Sequence, residues 1–185
     1  LLLPEEMFRQ KAKSVHFKIG DHIPHKAFNC EIVDIKTETK LLKKHVYKIG
    51  LNQKGIFRTE RNIIFPVDRK LLRKDLEKIT LLGRTKNGYG IYISDSESAP
   101  NIIREISRLR EITFRKVGEG TGNKADSDSY DGYYKHIFIW DDNEMDIIGS
   151  YRVGIGKEIL DRRGIHGFYS STLFNYSDSF TNNII

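Results

Sequence analysis

Length, composition and charge exclude several classes of protein. The chain has 185 residues, enough for one ordinary domain or for one small domain joined to parts of others. No run of the sequence approaches the roughly 18 apolar residues needed to span a bilayer. Cys30 is the single cysteine, which fits a reducing, cytoplasmic compartment. The net charge of +6 favours an anionic partner: a phospholipid surface, an acidic carrier protein or a nucleic acid.

The first segment, residues 1–33, is predicted to hold one short strand. In KSVHFKIGDHIPH, the apolar residues Val15, Phe17 and Ile19 alternate with polar ones before a turn at Gly20. A half-buried strand needs neighbours to pair with, and no second strand pattern follows nearby. We therefore interpret this segment as the C-terminal remnant of an upstream domain.

Residues 34–97 are predicted to form a basic helical linker that ends in a hairpin. KTETKLLKKHVYKIG predicts a helix with an apolar side and lysines around it. The apolar side consists of Leu41, Leu42, Val46 and Ile49. Asp68 is the expected N-cap of a second helix, RKLLRKDLEKI. Asn87 and Gly88, between ITLLGRT and YGIYIS, predict a tight hairpin turn.

Residues 98–185 are predicted to form an α+β domain. Pro100 suits the first turn of a helix whose apolar spacing continues to Gly118, its expected C-terminal cap. HIFIW and DIIGSYRVGIG, joined by DDNEM, predict an antiparallel hairpin, and GFYSSTLFNY is expected to add a third strand. Elements in this order indicate a mainly antiparallel sheet with helices packed on it.

The glycine loop VGEGTGNK has the composition of a nucleotide-binding loop but not its context. A phosphate-binding loop follows a strand and ends in Gly-Lys-Ser or Gly-Lys-Thr, whereas this loop follows a helix and Lys124 precedes Ala125. The six histidines include no HExxH motif. Asp126, Asp128 and Asp131 lack the glycine and the distal glutamate of a calcium loop. We therefore expect no bound cofactor and no metal.

An arginine inside a strand pattern predicts an ion-pair cluster. Tyr151 and Arg152 are adjacent in GSYRVG and therefore face opposite sides of the strand. A free charge on a sheet face is costly, so Arg152 should pair with Asp128 or Asp131, and Arg110 on the helix would complete the cluster. Two interpretations stay open: a substrate site, or an ion-pair network that only fixes the loop.

Five motifs resemble a known family: LREITF, GEGTG, DSDSYD, HIFIWD and IIGSYRVG. They are similar to the N-terminal half of GNAT-type N-acyltransferases of the ornithine-lipid and glycine-lipid synthase branch, also called hemolysin-type acyltransferases. Acyl-homoserine-lactone synthases are related to this branch. Arg110 and Phe114 match that family's helical Arg-x-x-x-Phe, Asp128 and Asp131 match its Asp-x-x-Asp, and Arg152 matches its strand arginine.

The resemblance implies a fold and a reaction. The fold would be an α/β/α GNAT-like domain, incomplete at the C-terminus. The reaction would move a fatty or 3-hydroxyacyl group from acyl carrier protein to the amine of an amino acid, for bacterial aminolipid synthesis. The enzyme would then be cytoplasmic and peripheral on the inner face of the membrane. Some relatives are fused to an upstream lysophospholipid-type O-acyltransferase, which is the expected origin of residues 1–33. Leu173 stands before Phe174 where the lipid-forming branch often carries glutamate.

Roles for individual residues follow from this chemistry. Attack of an amine on a thioester needs a carboxylate that accepts a proton. The predicted catalytic acids are Glu119, Asp128 and Asp131. The predicted substrate-binding residues are Arg110, Phe114, Tyr151 and Arg152. GNAT folds hold the acyl-phosphopantetheine arm between two splayed strands, and the second is expected beyond Ile185. Residues 1–185 alone are therefore expected to be inactive.

A non-catalytic interpretation is the alternative. The helices of the linker carry clustered lysines and arginines, which could dock on an anionic membrane or on a carrier protein. These residues are Lys40, Lys43, Lys44, Lys48, Arg69, Lys70, Arg73 and Lys74. Nucleic acid is not an expected partner, because the basic residues are not interleaved with an aromatic RNA-binding signature.

Overall fold

The computed structural model describes residues 16–28, 34–177, 179–180 and 183, so Val15 and Cys30 lie outside the described part. The chain divides into two compact units, residues 1–61 and 62–185. The described α-helices are α1 (Ile35–Gly50), α2 (Arg69–Leu76), α3 (Pro100–Lys116) and α4 (Gly156–Arg163). The described strands are β1 (Leu81–Arg84), β2 (Gly90–Ser94), β3 (Lys135–Asp141) and β4 (Asp146–Val153). Short 3-10 helices cover His25–Ala27, Ser129–Gly132, Ile165–Gly167 and Tyr169–Thr172.

The first unit is built on α1, which confirms the first predicted helix. Asp34 caps it, because its carboxylate accepts a hydrogen bond from the Thr37 N–H at 3.0 Å. The predicted apolar side is only partly covered: Leu42 is 38% and Val46 59% accessible, whereas Leu41 and Ile49 are half-buried and His45 is buried. No helix of the described residues is both long enough and apolar enough to cross a membrane.

The strand predicted around residues 15–19 is wrong within the described residues. Phe17 is 77% and Ile19 94% accessible, and residues 16–21 have no strand conformation. The segment instead makes one isolated antiparallel bridge, His22 with Glu60. Alternating apolar residues do not stabilise a strand that has no neighbouring strands to pair with.

The second unit contains a four-stranded antiparallel sheet in the order β1-β2-β3-β4. The predicted turn is confirmed, with Gly88 at φ +86°, a conformation that favours glycine. The hairpin β1-β2 pairs through β2 with β3, and therefore belongs to the same sheet as the β3-β4 hairpin. The range predicted as a linker, residues 34–97, thus contributes α1 to the first unit and α2 with the hairpin to the second. The origin of residues 1–33 stays a prediction.

The core of the second unit lies between α3 and one face of the sheet, which confirms the α+β prediction. Ile102 and Ile106 of α3 are 0% and 1% accessible, and Phe138 and Trp140 of β3 are 1% and 2% accessible. Helix α3 starts at Pro100 as predicted, and Gly118 follows its end at φ +86°. These contacts pack α3 against β3, and Ile147 of β4 belongs to the same core cluster.

Helix α2 lies beside α3 and is held by buried carboxylates. Asp68 caps it as predicted, accepting from the Lys70 N–H at 2.7 Å. Asp75 of α2 accepts from the Asn101 N–H at 2.8 Å, at the first turn of α3. Glu105 of α3 accepts in turn from the Val67 N–H at 3.0 Å. Asp75 therefore binds a backbone donor of α3, and Glu105 binds the backbone donor of the residue before the α2 cap.

The third strand predicted at GFYSSTLFNY is wrong, because this segment forms 3-10 helices. Its backbone is held by tyrosine hydroxyl groups rather than by a neighbouring strand. The Tyr169 N–H donates to the Tyr134 hydroxyl at 2.9 Å, and the Tyr133 hydroxyl donates to the Gly167 carbonyl at 2.8 Å. Helix α4, which precedes the segment, has a mostly polar sequence and buries Ile159, and it escaped the sequence analysis.

Candidate active site

The Asp-x-x-Asp motif is a capping box at the start of a 3-10 helix. Asp128 Oδ1 accepts from the Asp131 N–H at 3.3 Å, and Asp131 Oδ2 accepts in return from the Asp128 N–H at 3.1 Å. Reciprocal capping requires a spacing of three residues. The hydrogen bonds within the motif alone therefore fix the orientation of both carboxylates.

The predicted cluster of two arginines and two aspartates is confirmed. Arg110 Nη1 on α3 lies 3.1 Å from Asp131 Oδ1, and Arg152 Nη1 on β4 lies 2.9 Å from the same oxygen. Arg152 Nη1 also lies 2.6 Å from Asp128 Oδ1. Arg110 reaches a further acid, Asp126, with Nε 3.2 Å from Oδ2. The capping box thus joins the end of α3 to the end of β4.

Asp131 is buried and ionised. Its side chain is 6% accessible, and His136 Nε2 lies 3.4 Å from Oδ1, a longer contact than those of the two arginines. Burial alone would raise the pKa of Asp131, but the adjacent His136 ring and the hydrogen bonds from Arg110 and the Asp128 N–H together hold this pKa well below its usual value. A buried, ionised carboxylate with a lowered pKa binds cations strongly and accepts a proton poorly.

Tyrosine rings surround the other side of Arg152. The guanidinium carbon lies 5.5 Å from the ring centre of Tyr130, 5.6 Å from that of Tyr134 and 5.2 Å from that of Tyr169. Cations at this distance from a ring face are attracted by its quadrupole. The sequence analysis missed these tyrosines, although the density of tyrosine in SYDGYY next to the Asp-x-x-Asp motif is a usable signal.

The glycine loop folds around a buried glutamate that the sequence analysis also missed. Glu111 is 0% accessible and accepts from the Thr121 N–H at 3.0 Å, the Thr121 hydroxyl at 2.7 Å and the Gly122 N–H at 2.9 Å. Arg115 Nε donates to it at 2.7 Å. Its burial would raise the pKa of Glu111, but these donors lower it overall. The loop's shape is therefore set by a carboxylate of α3.

The other predicted site residues are spread over two surfaces. Phe114 is 38% accessible and lines, with Arg110, a groove of about 340 Å³ between α3 and β4. The apolar walls of this groove include Leu109, Phe114, Ile147 and Ile148. Tyr151 is 82% accessible and faces away from Arg152, as strand alternation predicts. The Glu119 side chain is exposed.

Comparison with known proteins gives a family match for the part of the chain that holds the cluster. The family model described as acetyltransferase (GNAT) domain matches residues 109–184. The match covers 76 of the 185 residues. The matched range includes Arg110, Asp128, Asp131 and Arg152, so the whole ion-pair cluster lies in the part of the chain that is similar to this family. No solved structure gives a significant match to the chain.

Two curated relatives of this chain carry the same name. A glycine N(alpha)-acyltransferase of Bacteroides thetaiotaomicron is 40% identical over 123 residues, which cover 64% of this chain and 36% of that relative. A glycine N(alpha)-acyltransferase of Phocaeicola vulgatus is 35% identical over 123 residues, covering 64% of this chain and 38% of the relative. The matched part of the chain thus spans little more than a third of these relatives.

Proposed function

We propose that the protein transfers a fatty or 3-hydroxyacyl group from acyl carrier protein to the amine of an amino acid, in bacterial aminolipid synthesis at the inner face of the membrane. The GNAT domain and the two relatives named glycine N(alpha)-acyltransferase support an N-acyltransferase. Glycine is therefore the first acceptor to test. The donor would be the acyl-phosphopantetheine thioester.

The observation that carries this proposal is the position of Arg110. Its guanidinium binds Asp131 and Asp126, and the same side chain lines the apolar groove between α3 and β4. A fixed polar cluster beside an apolar groove suits a substrate with a polar reacting end and a hydrocarbon chain. We assign the groove, including Phe114, to the acyl chain.

The reaction requires one bond to form and one to break. The amine nitrogen attacks the thioester carbonyl carbon, the carbon–sulfur bond breaks, and the phosphopantetheine thiol leaves. The proton lost from the ammonium group must reach a carboxylate or water. Preorganised donors stabilise the oxyanion of the tetrahedral intermediate.

The carboxylates then divide into two roles. Asp131 is bound to Arg110 and Arg152 and its pKa is lowered, so it acts as a positioning residue that holds both guanidinium groups. Glu119 is exposed and free to approach an ammonium group, and Asp128 has a side chain 35% accessible. We assign proton acceptance to Glu119 first and to Asp128 second, because Asp128 Oδ1 already pairs with Arg152 at 2.6 Å. Tyr151, on the opposite face of β4, would contact the carrier protein.

The direct test is acyl transfer by the full open reading frame that contains these residues. The purified protein is incubated with 3-hydroxyhexadecanoyl acyl carrier protein and glycine, and N-acylglycine is measured by mass spectrometry. We expect product from the thioester and none from the free fatty acid. Absence of product with every common amino acid as acceptor would contradict the proposal.

A pair of arginine variants tests the role of the cluster. Arg152→Met removes the guanidinium that links β4 to Asp128 and Asp131, and we expect kcat/KM to fall about 100-fold through misplacement of the site. Arg84→Met is the control, because Arg84 pairs with Asp142 at an exposed position outside the cluster. Equal activity of the two variants would show that the cluster has no role in catalysis.

A second candidate function, docking on an anionic membrane, is favoured by the surface of α1. The helix exposes Ile35, Leu42 and Val46, which are 80%, 38% and 59% accessible, and it carries the lysine cluster on its remaining surface. An exposed apolar stripe beside lysines is typical of helices that lie in the lipid headgroup region.

Sedimentation with vesicles tests this second candidate. We expect binding to vesicles of phosphatidylglycerol and phosphatidylcholine that persists in high salt, and weaker binding by a Leu42→Gln, Val46→Gln double variant. Leu71→Gln is the matched control, since Leu71 is 45% accessible in the other unit. Vesicle binding without acyl transfer by the full-length protein would make docking the main function. Equal binding by the variant and the control would exclude α1 as the docking element.

A further inference from the structure

The groove between α3 and β4 has polar side chains among its apolar walls. Its volume is about 340 Å³, and the residues that line it belong to α3 and β4. The polar side chains of the lining are Arg110, Thr113 and Ser150. Sites for largely apolar ligands use a few such groups to orient the ligand and to select among similar molecules. Their role here rests on the proposed function, which assigns this groove to the acyl chain.

The side chain of Ser150 faces α3. Ser150 lies opposite Phe138 in the pairing of β3 with β4. Residues directly opposite each other in an antiparallel sheet project to the same face. Phe138 is 1% accessible and belongs to the core cluster that includes Ile102 and Ile106 of α3. Ser150 therefore points from β4 toward the helix, which is the side on which the groove lies.

The hydroxyl group of Ser150 is unpaired and accessible. It makes no hydrogen bond with another described residue, whereas the Ser107 hydroxyl on α3 donates to the Ile103 carbonyl at 2.9 Å. Ser150 is half-buried, and its oxygen is not one of the fully buried side-chain atoms that lack a partner among the described residues. A ligand in the groove can therefore reach this oxygen without displacing a protein partner.

Ser150 lies beside the polar cluster. Ser150 and Arg152 are two residues apart on β4, so their side chains project to the same face about 7 Å apart along the strand. Arg152 and Arg110 share Oδ1 of Asp131, and Arg110 lines the groove together with Ser150. In the proposed function the thioester lies at the cluster. Ser150 then faces the first carbons of the acyl chain rather than its far end.

A plain hydrocarbon chain in this position would cover the Ser150 hydroxyl and give it no partner. A polar group that loses water without gaining a hydrogen bond disfavours the complex. A hydroxyl on the third carbon of the chain offers both a donor and an acceptor, as serine does. We propose that Ser150 makes the protein prefer a 3-hydroxyacyl donor to a plain acyl donor of equal length, through a hydrogen bond between its Oγ and the 3-hydroxyl group.

Kinetics of the full open reading frame with two donors test this role. The donors are 3-hydroxyhexadecanoyl and hexadecanoyl acyl carrier protein, the acceptor is glycine, and the readout is the ratio of their kcat/KM values. We expect a ratio of at least about 10, since a site that hydrogen-bonds a substrate hydroxyl rejects the analogue that lacks it. Ser150→Ala should bring the ratio to within about threefold of 1, by slowing the hydroxylated donor and accelerating the plain one.

Two further variants separate recognition from a structural effect. Ser150→Thr keeps a hydroxyl group and should keep the preference. Thr113→Val is the matched control on the other wall, because Thr113 is exposed and its hydroxyl keeps its water with either donor, so the ratio should not change. An equal loss of activity toward both donors in Ser150→Ala would give Ser150 a structural role only and overturn the proposal.

The remaining outcomes distinguish this proposal from the proposed function. A wild-type ratio near 1, with product from both donors, would overturn the role of Ser150 and leave N-acyl transfer standing. Collapse of the ratio in Thr113→Val but not in Ser150→Ala would do the same. Absence of product from both donors with every common amino acid would contradict the proposed function, and the role of Ser150 with it.

Discussion

Arg110 and Arg152 share one acceptor atom, Oδ1 of Asp131. Asp131→Asn would leave both guanidinium groups facing a neutral amide. Breaking a buried ion pair lowers the free energy of unfolding by about 3–5 kcal/mol. We expect Asp131→Asn to lower it by about 3 kcal/mol, because Asp126 and Asp128 remain as partners of the two arginines. Chemical denaturation measures this loss. The exposed pair of Arg84 and Asp142 is the control, where Asp142→Asn should cost less than about 1 kcal/mol.

The same carboxylate predicts how the stability of the second unit depends on pH. The pKa of Asp131 is lowered in the folded protein, whereas an unfolded aspartate titrates near about 3.9. Its stabilising contribution is therefore complete above that pH and is lost as the pH falls through the lowered value. Denaturation from pH 7 downward should show wild type and Asp131→Asn converging only below about pH 4. Convergence already at neutral pH would contradict the lowered pKa.

Glu111 is the residue on which the glycine loop depends. Glu111→Gln keeps the shape but turns an NH₂ group toward donors of Thr121, Gly122 or Arg115. We expect a loss of about 2–3 kcal/mol and faster hydrogen exchange at the Thr121 and Gly122 amides, because buried donors lose a charged acceptor. Glu119→Gln is the control, since Glu119 is exposed and should leave exchange unchanged.

Residues differ in how far their contacts can be predicted from the neighbouring sequence. Arg152 lies inside a strand pattern, so its need for a carboxylate partner was predictable. Asp128 and Asp131 were the acids nearest in sequence that could serve as that partner. Glu111 was not predictable as an acceptor, because its donors come from a loop whose path depends on Gly118 and Gly122, both at positive φ. Helical spacing after Ser107 does place it on the buried side of α3, which is the signal that was available.

At the scale of elements, the predictions were confirmed where the signal lay within the sequence of the element itself. Helices α1, α2 and α3 and the two hairpins each carry a cap, a turn dipeptide or an uninterrupted period. The segment after α4 was misassigned because its apolar residues suggest a strand, while its conformation depends on the hydroxyl groups of Tyr133 and Tyr134 in a distant part of the chain. Such tertiary hydrogen bonds are invisible to a local pattern.

The end of β4 gives a test of this packing. At Gly154 a Cβ atom would lie 2.7 Å from Ile159 Cδ1 and 2.7 Å from Tyr134 Cε1. Gly154→Ala should therefore displace the ring that supports Tyr169 and cost about 1–3 kcal/mol through overpacking. Gly149→Ala is the matched control in β4, because nothing lies within 4 Å of its added Cβ. It should be neutral or stabilise by up to about 1 kcal/mol. Equal melting temperatures for the two variants would show that the site relaxes without cost.

At the scale of the whole molecule, the α+β class was predictable and the division of the chain was less so. The hairpin β1-β2 follows two basic helices, and its composition alone gave no reason to separate it from them. Its pairing partner β3 comes after α3, so the contact that places it in the sheet is distant in sequence. Domain boundaries depend on such pairings, whereas fold class depends on the kinds of elements present.

Net charge acts on the molecule as a whole and predicts a salt effect on the proposed reaction. The chain carries +6, and an acidic carrier protein would be attracted to it from a distance. Since the Debye length shrinks from about 14 Å to about 4 Å as ionic strength rises from about 0.05 M to about 0.5 M, this attraction is screened. We expect KM for the acyl carrier protein donor to rise at least about tenfold over this range. KM for a short acyl-pantetheine, which is uncharged, should change little, and an equal response of the two donors would show that carrier docking is not electrostatic.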